Sequence, residues 1–250
     1  MATVPLVGPN GIAIACDVES EEVTVLVKAT HQVPGVSAFK VGITLSGGNE
    51  GLKRKVGRIK AITNKPIVYD HQKAGTDIPQ MGVKFAKMLK AAGVDEVILF
   101  PLAGPTTQIA WTEACREAGL EVLVGAHMTH AQFLVCEGGY IADDAPERIF
   151  RLAVGLGVRN FVVPGNKVEF VKKYFDLIDG LVPRGRFFRL WAPGFIDQLG
   201  VISETAKVAG PYFTPIIGSG VYEKAKGILA SPRQMALNAQ EMTRQLIQRG

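Results

Sequence analysis

Cysteine is scarce in this chain. Cys16, Cys115 and Cys136 are odd in number and lack metal-type spacing, which argues against a disulfide framework and points to a reduced, cytoplasmic protein. Long apolar runs are missing too: none reaches the ~18 residues a membrane span needs. No basic segment precedes an apolar core at the N-terminus, so residues 11–16 read as a first strand rather than a signal peptide. Charge of one sign is not concentrated. The formal net charge is +5 and the pI near 9.1, yet Lys and Arg are scattered without interleaved aromatics. That pattern disfavours a nucleic-acid polymer as partner and leaves a small anionic ligand open. A linker is also lacking, so residues 1–250 read as a single domain, and 47% hydrophobic residues suffice for a large core.

What the chain has is alternation. Apolar runs rich in β-branched residues fall at 12–17, 38–42, 66–70, 96–100, 121–126, 160–163, 187–191 and 215–217. Amphipathic stretches of helical length fall at 21–29, 51–62, 81–92, 106–118, 146–156, 168–177, 202–209 and 222–248. Gly93, Gly119 and Gly157 stand where left-handed C-caps belong. Eight strand and helix units in 250 residues predict an α/β fold, a closed (β/α)8 TIM barrel, rather than an open doubly wound sheet. The least regular stretch, 128–145, follows the fifth strand as an active-site loop would.

In such a barrel, functional groups gather where the strands end. Asp17 closes the first strand, Lys40 lies near the end of the second, and Asp70, Lys73 and Asp77 follow one another at the end of the third. Thr129 follows the fifth strand and Pro164-Gly165-Asn166 the sixth. Pro193-Gly194, with Gln198 beyond, follows the seventh, and Gly218-Ser219-Gly220 follows the eighth. A glycine-rich turn exposes backbone N–H groups to an anion, and after strands seven and eight it forms a phosphate cradle. A solvated loop with one surface ion pair would account for the third-strand triplet alone. It does not account for polar groups at so many strand ends on one rim.

Other features have plainer readings. His127 and His130, three apart, suggest zinc, but no acidic residue stands at ligand spacing. Cys16 reads as a small core hydrophobe, Trp111 and Met88 as core, and His31 as an exposed residue at a helix end. Lys53, Arg54, Lys55, Arg58 and Lys60 read as a solvated helix face.

The Lys40 strand and the Asp70, Lys73, Asp77-Ile78-Pro79 segment resemble the orotidine 5′-monophosphate decarboxylase family, and the likeness runs nearly the whole length. The resemblance implies decarboxylation of orotidine 5′-monophosphate to uridine 5′-monophosphate, the last step of pyrimidine synthesis. It assigns an alternating charge network to Lys40, Asp70, Lys73 and Asp77. It assigns ribose contacts to Asp17, the pyrimidine contact to Thr129 in Met128-Thr129-His130, and further substrate contacts to Pro193, Gly194 and Gln198. It also implies a homodimer in which Asp77 serves the partner's site. No metal, flavin or nicotinamide is implied. Elementary chemistry agrees, because losing CO₂ at pyrimidine C6 leaves a carbanion that fixed charges must stabilise. Lys73, kept protonated by Asp70 and Asp77, would then give C6 its proton.

Three departures stand against the family pattern. The spacing Asp-x-x-Lys-x-x-x-Asp is one residue longer on each side of the lysine, so Asp70 and Lys73 share a face only through a bulge or early turn. Ser219 stands where an arginine usually grips phosphate, and Met81 stands where a threonine is frequent. Two other readings follow: a Mg²⁺-dependent sugar-phosphate decarboxylase or synthase of the same barrel suite, and a non-catalytic nucleotide-binding barrel.

Overall fold

Strand segments with apolar residues on both faces fold into a sheet covered on both sides. The computed structural model describes residues 10–42, 45, 51–70, 77–195 and 201–247. Eight parallel strands close a barrel: β1 (Ile12–Ala15), β2 (Val36–Val41), β3 (Ile67–Asp70), β4 (Glu96–Leu99), β5 (Glu121–Gly125), β6 (Asn160–Val162), β7 (Arg189–Ala192) and β8 (Phe213–Ile217). Helices α1 (Glu22–Thr30), α2 (Gly51–Lys60), α3 (Gly82–Ala92), α4 (Pro105–Glu117), α5 (Ala145–Gly155), α6 (Val168–Leu181) and α7 (Ile202–Val208) follow strands one to seven. After β8 come a short α8 (Ser219–Tyr222), a hairpin of β9 (Glu223–Ala225) and β10 (Ile228–Leu229), and α9 (Pro232–Ile247).

The period of two divides each strand between two cores. Ile12, Ile14, Phe39, Val41, Ile67, Tyr69, Val97, Leu99, Phe161 and Leu190 belong to the outer core beneath the helices. Ala13, Ala15, Ala38, Val68, Ile98, Leu123, Val162, Trp191 and Ile216 fill the barrel. Register ties these inner positions together, with Ala15 opposite Lys40, Lys40 opposite Val68, and Val68 opposite Glu96. Gly125 owes its identity to this filling: a Cβ there would lie 2.0 Å from the Phe100 ring.

The helices close on the outer core by their apolar stripes. On α3, Phe85, Ala86, Leu89 and Ala92 are buried, and Gly93 ends the helix at φ +85°, its N–H donating to the Leu89 and Lys90 carbonyls. Gly82 lets α3 approach α4, since a Cβ would stand 2.9 Å from the Trp111 ring. Among the described residues, no helix is long and apolar enough to cross a membrane.

Three expectations change. The continuous helix expected over 222–248 is broken by the β9–β10 hairpin, which turns at Gly227 with φ +73°, and the helix begins only at Pro232. Met88 is exposed rather than core, because it falls at the margin of the α3 stripe, whereas Trp111 is buried as expected. Lys55 is buried, so the basic face of α2 is not wholly solvated. Cys16 is fully buried, and burial pushes its thiol up to about 12, as a core hydrophobe requires.

Candidate active site

The inward parity that fills the barrel with apolar groups carries charge to its carboxyl end. Lys40, the penultimate residue of β2, follows inward Ala38, and Asp70, the last of β3, follows inward Val68. Asp17 lies two residues beyond inward Ala15, the last residue of β1. The Lys40 ammonium donates to Asp70 Oδ2 at 2.8 Å and to Asp17 Oδ2 at 3.1 Å and Oδ1 at 3.3 Å. Lys40 and Asp70 are buried, at 5% and 6% exposure, while Asp17 is open to solvent. Burial disfavours the Lys40 charge, but Asp70 and then Asp17 outweigh it and hold its pKa above the ordinary lysine range. The ammonium is therefore fixed in charge and direction. Two carboxylates around one ammonium leave a net −1, which a second cation at the end of β3 would balance. Lys73, expected to be that cation, lies outside the described residues, as does Gln198.

Asp77 is placed differently. It is exposed, its Oδ1 accepts the Ile78 N–H at 2.7 Å, and its carbonyl accepts from Thr107 Oγ1 at 3.0 Å. Trp111 Nε1 donates to the Ile78 carbonyl at 3.0 Å, so this segment is fastened to α4. The described contacts do not join Asp77 to Lys40 or Asp70.

The remaining rim groups are half-buried. Thr129 sits in the turn after β5, its carbonyl accepting from Asn166 Nδ2 at 3.0 Å. Pro193 and Gly194 follow β7, with Gly194 at φ +106°, a conformation that favours glycine. Gly218 starts the turn into α8, and its carbonyl accepts the Val221 N–H at 2.9 Å. Ser219 and Gly220 lie within α8.

A second charged group lies beneath the Thr129 turn and went unread in the sequence. Lys167 Nζ donates to Glu137 Oε1 at 2.5 Å and to the His130 carbonyl at 3.2 Å, and lies 2.9 Å from His127 Nε2. His127 Nδ1 is 2.9 Å from the Tyr174 hydroxyl. Burial first, and then the Lys167 charge, lowers the His127 pKa to about 4 against the pull of Glu137, so the imidazole is neutral. For Glu137, burial acts upward, but the Lys167 hydrogen bond and the Leu134 N–H bring it down to about 2. Glu137 is the acidic neighbour that spacing did not offer His127, its Oε1 3.3 Å from Nε2, yet the Lys167 ammonium contacts both atoms and competes with any metal. Among the described residues, no group of three His, Cys, Asp or Glu side chains is placed to hold a metal ion. The available signal was Lys167 itself, directly after the Pro164-Gly165-Asn166 turn.

Fold and site together define the class: a (β/α)8 barrel with a lysine–carboxylate array at the carboxyl mouth. Within that class the chain is similar to the orotidine 5′-phosphate decarboxylases. It is 29% identical over 205 residues to the orotidine 5′-phosphate decarboxylase of Methanosarcina barkeri, covering 80% of each chain. The structure of the Methanocaldococcus jannaschii enzyme complexed with the inhibitor BMP matches with a TM-score of 0.77 at 20% identity, covering 96% of this chain and 99% of that one. The Pyrococcus horikoshii enzyme matches with a TM-score of 0.71 at 24% identity, covering 93% and 99%. These likenesses share the barrel. No known family profile matches the chain.

Proposed function

We propose that this protein is a carboxy-lyase that converts orotidine 5′-monophosphate to uridine 5′-monophosphate. The observation that carries the reading is the buried Lys40 ammonium held between Asp17 and Asp70 at the barrel mouth. Such an array costs folding energy to bury, and its use is to present oriented charge to a substrate. The sequence likeness to the Methanosarcina barkeri decarboxylase supports the same reaction.

Asp17, with its open carboxylate, takes the ribose hydroxyls, and Thr129 takes the pyrimidine edge. Gly218, Ser219 and Gly220 cradle the phosphate, Pro193 and Gly194 add substrate contacts, and the resemblance assigns a further one to Gln198. Asp70 is assigned to the reacting carbon, and the resemblance assigns the proton to Lys73. As CO₂ departs from C6, the C6–carboxylate electron pair stays on the ring carbon, where an ammonium stabilises it. Lys73 then transfers its proton to C6 and is reprotonated from solvent. Lys40 holds the Asp70 carboxylate fixed in direction. Asp77, exposed and anchored on α4, completes the site of a second copy in a homodimer. Ile78, Val83, Met88 and Ile109 are exposed apolar side chains on the same elements, α3, α4 and the turn before them, and supply the face for that contact.

The test follows loss of orotate absorbance with excess chelator present, on orotidine 5′-monophosphate and on orotidine. Turnover of the nucleotide that survives chelation, with orotidine at least about 100-fold poorer in kcat/KM, is expected, because remote phosphate binding lowers the barrier at the ring. Turnover that requires Mg²⁺, or none at all, would contradict it.

A further inference from the structure

We propose that Lys167 is a positioning residue for the reaction: from the loop between β6 and α6 it fastens the β5 turn, so that Thr129 is held at the pyrimidine edge. The inference rests on the reading of Thr129 given above. The turn between His127 and Glu137 has little regular structure of its own, with one 3-10 turn at Val135–Glu137. A segment of this kind holds its shape through side-chain contacts.

Those contacts converge on two adjacent residues. Lys167 meets His127 Nε2, the His130 carbonyl and Glu137 Oε1, while Asn166 donates to the Thr129 carbonyl. Thr129 is thus pinned on itself, two residues before it and one residue after it. Glu137 extends the hold with its second oxygen, accepting the N–H groups of Phe133 at 3.2 Å and Leu134 at 3.1 Å.

The imidazole is held in one tautomer by the same contacts. An ammonium has only hydrogens to offer, so its approach at 2.9 Å favours a bare His127 Nε2, with Nδ1 carrying the proton toward Tyr174, over a proton shared with Glu137 Oε1 at the longer 3.3 Å. Tyr174 lies on α6 and is buried, which roots the network in the helix layer. Phe133 stacks on the His127 ring and Phe170 meets its edge, shielding the imidazole from water. The three donors of Lys167 match three acceptors on one turn. A surface ion pair with Glu137 alone would use one of them.

The experiment compares Lys167→Met, Lys167→Arg, Thr129→Ala and the Lys167→Met/Thr129→Ala double variant in two assays. The first is kcat and KM on orotidine 5′-monophosphate. The second is binding of uridine 5′-monophosphate against ribose 5-phosphate, which lacks the ring. Lys167→Met is expected to lower kcat/KM by about 10- to 100-fold, as a misplacement of about 1 Å does. It should weaken uridine 5′-monophosphate while leaving ribose 5-phosphate within about twofold. Lys167→Arg should restore most of the loss. The double variant should be no worse than about threefold below Thr129→Ala, because both act through one contact. If Lys167→Met does not fold, Glu137→Gln carries the same comparison.

Multiplicative losses in the double variant, or equal weakening of both ligands, would overturn the role. A wild-type protein that binds uridine 5′-monophosphate without turnover would sink the functional reading alone, and the ligand comparison would still decide Lys167. Binding of neither ligand would overturn both.

Discussion

Lys40 is where a single side chain matters most. Its ammonium is shared by Asp17 and Asp70 at the barrel mouth, so its removal leaves the buried Asp70 carboxylate and Asp17 without the cation between them. Lys40→Met is expected to abolish turnover and to cost about 3–5 kcal/mol of stability at pH 7, read by urea unfolding. Unchanged stability would mean that Asp70 draws its compensation from elsewhere. Asp17, Lys40 and Asp70 were legible in the sequence because each stands at or near the end of an apolar run, and strand parity then fixes which way they face. Lys167 and Glu137 were not, because their meaning lies in a contact 30 residues apart across two loops. Met88 was misread for another reason. Helical spacing does not say where the buried stripe ends, and Met88 stands just past its edge, 52% exposed.

The strands were legible as elements, since eight apolar runs at regular intervals predict both their number and their parallel closure. The final helix was not. Residues 223–231 have the composition of a helix, and only Gly227 marks the turn that makes them a hairpin. The strand starts hold a feature that periodicity alone does not flag. Glu96, Glu121, Asn160 and Arg189 each begin a strand, and register sets Glu96 opposite Glu121 and Asn160 opposite Arg189. Asn160 donates to Glu121 at 2.9 Å, and Arg189 donates to Thr214 at 2.9 Å. Burial, then Glu121 and Asp95, push the Glu96 carboxyl from 4.5 up to about 7, and its Oε2 is buried without a hydrogen bond. The folded protein thus holds a proton that the unfolded chain releases near pH 4.5. Stability from this group is full below that pH and falls as pH rises toward about 7, by on the order of 3 kcal/mol. Glu96→Gln is expected to flatten that part of the stability–pH curve and to exceed the wild type at pH 8. Parallel curves for the two proteins would refute the assignment.

On the scale of the whole molecule, the site's parts divide between the barrel mouth and the Asp77 segment docked on α4. The proposed homodimer reunites them. Lys73→Ala and Asp77→Ala proteins, each inactive, are expected to regain activity on mixing, since one site of each heterodimer then carries neither substitution. No recovery after demonstrated subunit exchange would return Asp77 to its own chain. The central claim is that an ammonium protonates the carbanion at C6, and deuterium incorporation tests it most directly. Orotidine 5′-monophosphate turned over in D₂O by the wild type should yield uridine 5′-monophosphate with one deuterium at C6, read by NMR. Lys73→Ala should lose at least about 1,000-fold in that rate while its uridine 5′-monophosphate affinity stays within about tenfold. A Lys73→Ala protein that keeps more than about a tenth of the wild-type rate would contradict the account.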